Sequence, residues 1–392
     1  MMIPFERALE IVLNAAHRLD AERVSIHDAL GRVLAEDVKS DMDMPRFDKS
    51  VMDGYACRRA DLANELTVIE IIPAGVVPRR EIGPNQCAKI MTGSMVPRGA
   101  DCVVMVEFTD NPSENKIRFT GKETEDHICK QGEDVRRSDV VVRKGTRIEP
   151  QHIAVLASVG CVNPRVAIRP RVGVIATGDE LVPPGQKPSL SQIRESNSCQ
   201  LRAQISRIGA IGRNYPIAVD TDVGIHKILS EALAKNDVVV LSGGVSMGDY
   251  DLVPKIMKKN GIKVLFEKIA VKPGKPTVFG THDKGACFGL PGNPVSAFVT
   301  CELLVKPFLY KMMGYKYRPR IVHVPLETTI NRKDTRRQGW IPVTITDTGA
   351  AKAREYHGSA HIGALCGADG LVTVDIGVAE VRKGTTVRVR LI

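Results

Sequence analysis

Residues 244–248, Gly-Val-Ser-Met-Gly, have the G-x-S-x-G spacing of a hydrolase nucleophile elbow, and they follow a run, 237–241, apolar enough for a buried strand. An elbow serine also needs an acid and then a histidine downstream, and His282, His323, His357 and His361 leave that order open for Ser246. The stretch reads equally as a glycine-rich cradle built on Gly243, Gly244 and Gly248. Asp249 and Asp251 follow at once and Pro254 falls among the first helical residues, which makes a longer acidic loop than an elbow uses.

Two further loops have the same character. Thr177-Gly178-Asp179-Glu180 ends an apolar run, and Pro291-Gly292-Asn293-Pro294 opens a long helical pattern with Asn293 as N-cap and Pro294 at the first helical position. Lys272 and Lys275 flank a Pro-Gly turn and present two point charges suited to an oxyanion. Glycine loops at helix starts offer backbone amides to phosphate or another oxyanion. The acids Asp179, Glu180, Asp249 and Asp251 would repel such a ligand, unless Mg²⁺ inverts the local sign or the carboxylates accept hydrogen bonds from a ligand's N–H edge. A pterin or a nucleotide, carrying phosphate together with a guanidine-like edge, satisfies the whole set. Helix capping by the same acids is the structural alternative.

For these loops to meet, the elements between them must form an open sheet. Strand and helix patterns alternate from 171 to 314: strand 171–177, helix 198–208, strand 215–219, helix 223–236, strand 237–244, helix 252–261, strands 263–271 and 286–290, helix 294–314. This predicts a parallel sheet covered on both faces, with ligand-binding loops at the carboxyl ends of its strands. Residues 1–38 read as helical, about 41–146 as short strands punctuated by Gly and Pro, and 319–392 as a small β domain.

Bulk properties narrow the classes. With 392 residues the chain holds several domains, and with 43% hydrophobic residues it has no apolar run near the roughly 18 residues of a membrane span. Its start reads as an amphipathic helix rather than a signal peptide. Nine cysteines without a C-x-x-C pair suit reduced thiols in a cytoplasm. The net charge of +10 favours an anionic partner, but dispersed Lys and Arg and only 4% aromatics argue against nucleic acid.

Together with FDKSVMDGYA (47–56) and IMTGSMVPRGADCVVMVE (90–107), the segments VIATGDEL, SGGVSMGDYD, KPGKPTVFG and LPGNPVSA resemble the molybdopterin molybdenumtransferase family, MoeA in bacteria and the gephyrin E domain in animals. The resemblance spans nearly the whole chain. It implies a multidomain α/β plus β protein: an N-terminal linker part from 1–40 and 141–170, a β-rich domain at 41–140, a central α/β parallel-sheet molybdopterin-binding domain at 171–318, and a small C-terminal β-barrel at 319–392. It further implies a homodimeric, cytoplasmic transferase, supplied by an upstream molybdopterin adenylyltransferase. Such an enzyme takes adenylylated molybdopterin and molybdate and releases AMP with Mg²⁺ assisting, in a cleft between the α/β domain of one subunit and the β domain of the other.

Carried over by motif, Asp53, Thr92, Glu180, Asp220 and Asp251 are catalytic positions, with Glu180 and Asp251 on the metal and Asp222 competing with Asp220 for its role. Thr177, Gly178, Asp179, Gly243, Gly244, Ser246, Gly248, Asp249, Lys272, Lys275, Pro291, Gly292, Asn293 and Pro294 make the molybdopterin site. Lys49, Lys89 and Ser94 depart from the family's usual Asn, Arg and Ala. A non-enzymatic scaffold of the gephyrin type and a serine hydrolase are the alternatives, and the choice between molybdenum and tungsten stays open.

Overall fold

The computed structural model describes residues 2–244, 252–283, 285–355 and 358–392. Ser246, Gly248, Asp249, Asp251 and His357 lie outside them.

Helix α1 (Phe5–Ala15) buries Ala8 and Val12 against the largest core cluster. The helix stops there, well short of the helical reading of 1–38. Ala16 turns extended, Ala21–Arg23 pairs antiparallel with Arg165–Ala167, and Val38–Lys39 pairs with Val140–Val142. The apolar side chains of this stretch are spaced for a helix but are taken by a distant segment: Ala29, Leu34 and Val38 pack with Val142, Ile148, Leu156 and Val166. Tertiary pairing overrides local preference.

Six strands follow: β1 (Gly54–Cys57), β2 (Glu65–Ile72), β3 (Gln86–Ile90), β4 (Cys102–Met105), β5 (Thr109–Ser113) and β6 (Lys116–Phe119), in the order β4-β1-β3-β2-β6-β5. Gly54 is required where β1 meets β4, because a Cβ there would lie 1.9 Å from the Val104 carbonyl oxygen. Helix α2 (Pro150–Ser158) then leads into the α/β part.

That part is a six-stranded sheet from β7 (Arg171–Ala176), β8 (Ile211–Asn214), β9 (Val238–Ser242), β10 (Lys263–Phe266), β12 (Val278–His282) and β13 (Gly285–Leu290), in the order β8-β7-β9-β13-β12-β10. Strand β11 (Val271–Lys272) leaves it to pair with the C-terminal sheet. The first four strands in that order are parallel, and β12 and β10 add an antiparallel edge. Apolar runs of this kind are buried whichever way the neighbour runs, so the sequence pattern cannot show the reversal.

Side chains along β9 alternate between two buried faces. Val238 and Val240 face a cluster completed by Leu201 and Ile205 of α3 (Asn197–Ile208) and by Val295 and Val299 of α6 (Pro294–Thr300). Val239 and Leu241 face Ile225 and Leu229 of α4 (Asp222–Lys235) and Val253 and Ile256 of α5 (Val253–Lys259). Both faces are therefore covered, as expected. The strand expected at 215–219 lies at 211–214, where α3 ends on Gly209 with a left-handed φ of 98° and the chain enters the sheet at once. Pro216 lacks the N–H a central strand needs, and only Ala218 bridges, to Thr177. The long helix expected from 294 is continuous through a π-helical turn at Cys301–Val305 into α7 (Lys306–Met312).

The C-terminal sheet consists of β14 (Ile321–Pro325), β15 (Gln338–Ile345), β16 (Ala351–Ala353), β17 (Gly370–Val374) and β18 (Thr386–Leu391), ordered β11-β15-β17-β18-β14 with β16 beside β15.

Candidate active site

The carboxyl ends of β7, β9 and β13 open onto a cleft of about 550 Å³. Thr177, Gly178 and Glu180 follow β7, Gly243 and Gly244 follow β9, and Pro291, Gly292, Asn293 and Pro294 follow β13; all of them line it, with Asp220 from the turn before α4. Three glycine loops thus converge on one edge, as the alternation predicts. Glycine is obligatory at 243: its φ is 104°, and a Cβ would come 2.4 Å from the Thr177 carbonyl oxygen. At Gly244, with φ 62°, a Cβ would lie 2.9 Å from Val253 Cγ2, 3.2 Å from Thr177 Oγ1 and 3.7 Å from Asp220 Oδ1.

The cleft is acidic and rich in acceptors. The Asp220 backbone N–H donates to Asp179 Oδ1 at 2.9 Å, which ties the two acidic turns together. Burial first, and then the carboxylates of Asp179 and Glu180, raise the Asp220 carboxyl above the ordinary aspartate value. Asn197 Oδ1 is buried without a hydrogen-bond partner among the described residues, while the Thr177 hydroxyl lies beside the Asp220 carboxyl and offsets part of its rise. Asp222, the competitor of Asp220, lies instead in ion pairs with Lys255 and Lys259 at the start of α4 and does not line the cleft.

An aspartate raised in the folded state holds its proton more tightly folded than unfolded, so its ionisation costs stability above the raised value. That cost fades as the pH falls toward the ordinary aspartate value. Asp220→Asn is therefore expected to raise the melting temperature at about pH 7.5, the gain shrinking as the pH approaches about 4. Calorimetry across that range checks it.

The remaining expected residues are placed differently. Asn293 is the N-cap of α6, but its side chain does not cap; Nδ2 donates to Ser359 Oγ at 2.7 Å. Lys272 and Lys275 are half-buried and form no ion pair among the described residues. Neither lines the cleft, although Pro276 does. Lys272 sits in β11, at the seam with the C-terminal sheet. Asp53 and Thr92 do meet: the Thr92 N–H and hydroxyl donate to Asp53 Oδ1 at 2.6 and 2.7 Å and hold that carboxyl below the usual range. Both are exposed, and the cleft contains no residue from 41–140 of its own chain.

Sequence reasoning misses part of the wall. Ile193, Arg194, Glu195, Ser196 and Asn197 line the cleft before α3, and Ala360 and Ile362 reach it from the C-terminal region. Arg194 is the one basic side chain among the described lining residues. Glu195, buried, accepts from the Ser198 N–H and hydroxyl at 2.6 Å each and so fixes the start of α3. The Glu-Ser-Asn run ahead of a helical pattern is the only sequence signal for this wall.

Fold and cleft define a multidomain α/β protein with an open cleft at the carboxyl edge of its parallel strands. The chain matches three family descriptions in succession: "MoeA N-terminal region (domain I and II)" over residues 3–160, "Probable molybdopterin binding domain" over 173–311 and "MoeA C-terminal region (domain IV)" over 324–392. It is 34% identical to the molybdopterin molybdenumtransferase of Staphylococcus aureus (strain N315) over 400 residues, covering 99% of this chain and 95% of that one. It is 38% identical to the Bacillus subtilis (strain 168) protein of the same name over 318 residues, 78% of this chain and 74% of the relative. The molybdopterin biosynthesis MoeA protein of Pyrococcus horikoshii OT3 has the same fold, with a TM-score of 0.87 at 30% identity and 100% of both chains covered.

The chain belongs to the molybdopterin molybdenumtransferase family. Relatives so named favour a transferase of molybdenum cofactor biosynthesis over a serine hydrolase or a non-enzymatic scaffold. Among the described residues no helix is long and apolar enough to cross a membrane.

Proposed function

We propose that this protein inserts molybdate into adenylylated molybdopterin and releases AMP, in the cytoplasm, acting downstream of a molybdopterin adenylyltransferase. The observation that carries the reading is the convergence of three glycine loops on a cleft whose wall holds a buried acceptor, Asn197 Oδ1, without a partner among the described residues. Such a cleft suits a ligand with phosphate at one end and N–H donors at the other.

No protein nucleophile is needed. The phosphoanhydride of the substrate supplies the driving force, and the protein's part is to hold oxyanion, phosphate and dithiolene together. Lys272 and Lys275 supply charge for the oxyanion and Arg194 for phosphate. Ser246 donates a hydrogen bond from the glycine loop.

Mg²⁺ fits the site as a shared ion. Among the described residues no three His, Cys, Asp or Glu side chains form a cage for a metal. Asp179 and Glu180 nevertheless crowd Asp220, a repulsion that a cation relieves. Mg²⁺ is commonly held by one or two carboxylates, with waters and substrate phosphate completing its shell. Glu180 and Asp251 would hold it, and it would neutralise charge on the phosphate of departing AMP. Chelation by EDTA is expected to stop molybdate-dependent AMP release, and added Mg²⁺ to restore it; release that continues in EDTA would remove the metal from the reading.

Asp53 and Thr92 complete the site from a second subunit in a homodimer. Their hydrogen-bonded pair is exposed, with exposed Val51 and Met52 alongside, and lies outside the cleft of its own chain. The division into 1–40 with 141–170, 41–140, 171–318 and 319–392 belongs to the same reading.

A further inference from the structure

Asn197 stands at the first turn of α3, only 9% exposed, between the end of β9 and the loop after β13. Its Nδ2 donates to Ser242 Oγ at 2.8 Å and to the Gly292 carbonyl at 2.6 Å. A backbone carbonyl can only accept, so the Gly292 contact fixes which way the amide faces. Ser242 Oγ in turn donates to the Pro291 carbonyl at 3.3 Å, and a Cβ on Gly292 would lie 3.5 Å from the Gly243 Cα. The two glycine loops are therefore in close approach, and Asn197 is pinned across them twice, directly and through Ser242.

With both amide hydrogens committed inside the protein, Oδ1 is the group left over. It is buried, it belongs to a residue of the cleft wall, and it has no partner among the described residues. A buried amide oxygen is ordinarily hydrogen-bonded, so one without a partner in a residue of the cleft wall marks a contact for a ligand to supply. Phosphate and molybdate have no N–H to offer. The group that does is the amino-pyrimidinone edge of a pterin, with its 2-amino group and ring N–H.

We propose that Asn197 sets the spacing of the two glycine loops and selects the substrate by accepting a hydrogen bond at Oδ1 from the 2-amino group of the pterin. This specificity role rests on the molybdopterin reading of the cleft. It divides the labour of the site: Asn197 reads the ring, and Arg194, the basic side chain among the described lining residues, takes the anionic end. Ser242 supports the loops without contributing to the discrimination.

The test is fluorescence titration of the full-length protein with 6-hydroxymethylpterin and with 6-hydroxymethyllumazine, which has a carbonyl where the pterin has its 2-amino group. The wild type is expected to bind the pterin about tenfold more tightly, the worth of one well-placed hydrogen bond. Asn197→Leu, of similar size but without acceptor or donor, is expected to lose that preference. Ser242→Ala loosens the same loops but leaves Oδ1 in place, and should keep it even where its melting temperature falls as far. If Asn197→Leu does not fold, Asn197→Ala carries the same expectation. A wild type that binds both compounds equally, a folded Asn197 variant that retains the tenfold preference, or a Ser242→Ala protein that loses it, overturns the role. A wild type that binds neither compound overturns the molybdopterin reading itself, and the role with it.

Discussion

Glu180→Ala is expected to lower AMP release at least about 100-fold, the scale on which a ligated metal site fails when a carboxylate is lost. The fold should not register the change. Glu180 is exposed and forms no ion pair among the described residues, so its melting temperature should stay within about 1 °C of the wild type. Loss of activity without loss of stability is what separates a charge-handling residue from a structural one. Asp251→Ala is expected to be comparably severe. If Ser246 only donates a hydrogen bond to the ligand, Ser246→Ala should cost about 1 kcal/mol, or roughly fivefold in binding. The contrast decides between cradle and nucleophile elbow: a fluorophosphonate label on Ser246, or a Ser246→Ala protein that binds molybdopterin normally but is inactive, would revive the hydrolase.

Mixing chains should restore activity that neither parent has. If Asp53 and Thr92 serve the partner's cleft, Asp53→Ala and Glu180→Ala homodimers each lack one half of every site. Random exchange makes half of the dimers mixed, and each mixed dimer has one site with both residues intact, so the pool should recover roughly one quarter of the wild-type rate. Light scattering should find a dimer throughout. An active monomer, or no recovery once exchange has been verified, contradicts a shared site. The geometry behind the expectation is simple: the exposed Asp53–Thr92 pair is built within the first β sheet, and no residue of that region reaches the cleft of its own chain.

The loops at 177–180, 243–244 and 291–294 are legible in the sequence because each is a glycine run closing a short apolar strand before a helix, and strand order alone then sends them to one edge. The acidic turn after the first strand of that sheet is legible from Asp179 and Glu180, whereas Asp220 enters only through the resemblance. What the sequence hides is long-range pairing. Asn197 meets Gly292 across 95 positions of chain, and nothing local distinguishes it from an ordinary residue of a helix start. Ala360 and Ile362 join the wall from the C-terminal region for the same reason. The first 38 residues mislead because Leu34 and Val38 are apolar for the sake of Ile148, Leu156 and Val166 rather than for a helix face. The β12–β13 hairpin is hidden too, since a buried apolar run carries no mark of its direction. Asn293 shows the converse: its position as N-cap is readable, but its side chain turns to Ser359, which only the folded chain brings near.

Purified protein incubated with adenylylated molybdopterin tests the central claim most directly, with AMP followed by chromatography as molybdate is added in the presence of Mg²⁺. AMP should appear in proportion to the molybdate supplied, about one AMP for each molybdenum retained on the pterin product, and hardly at all without the oxyanion. AMP released at the same rate with and without molybdate would make the protein a hydrolase of the adenylylated pterin. No release under any condition, from protein shown to be folded and dimeric, would contradict the transferase.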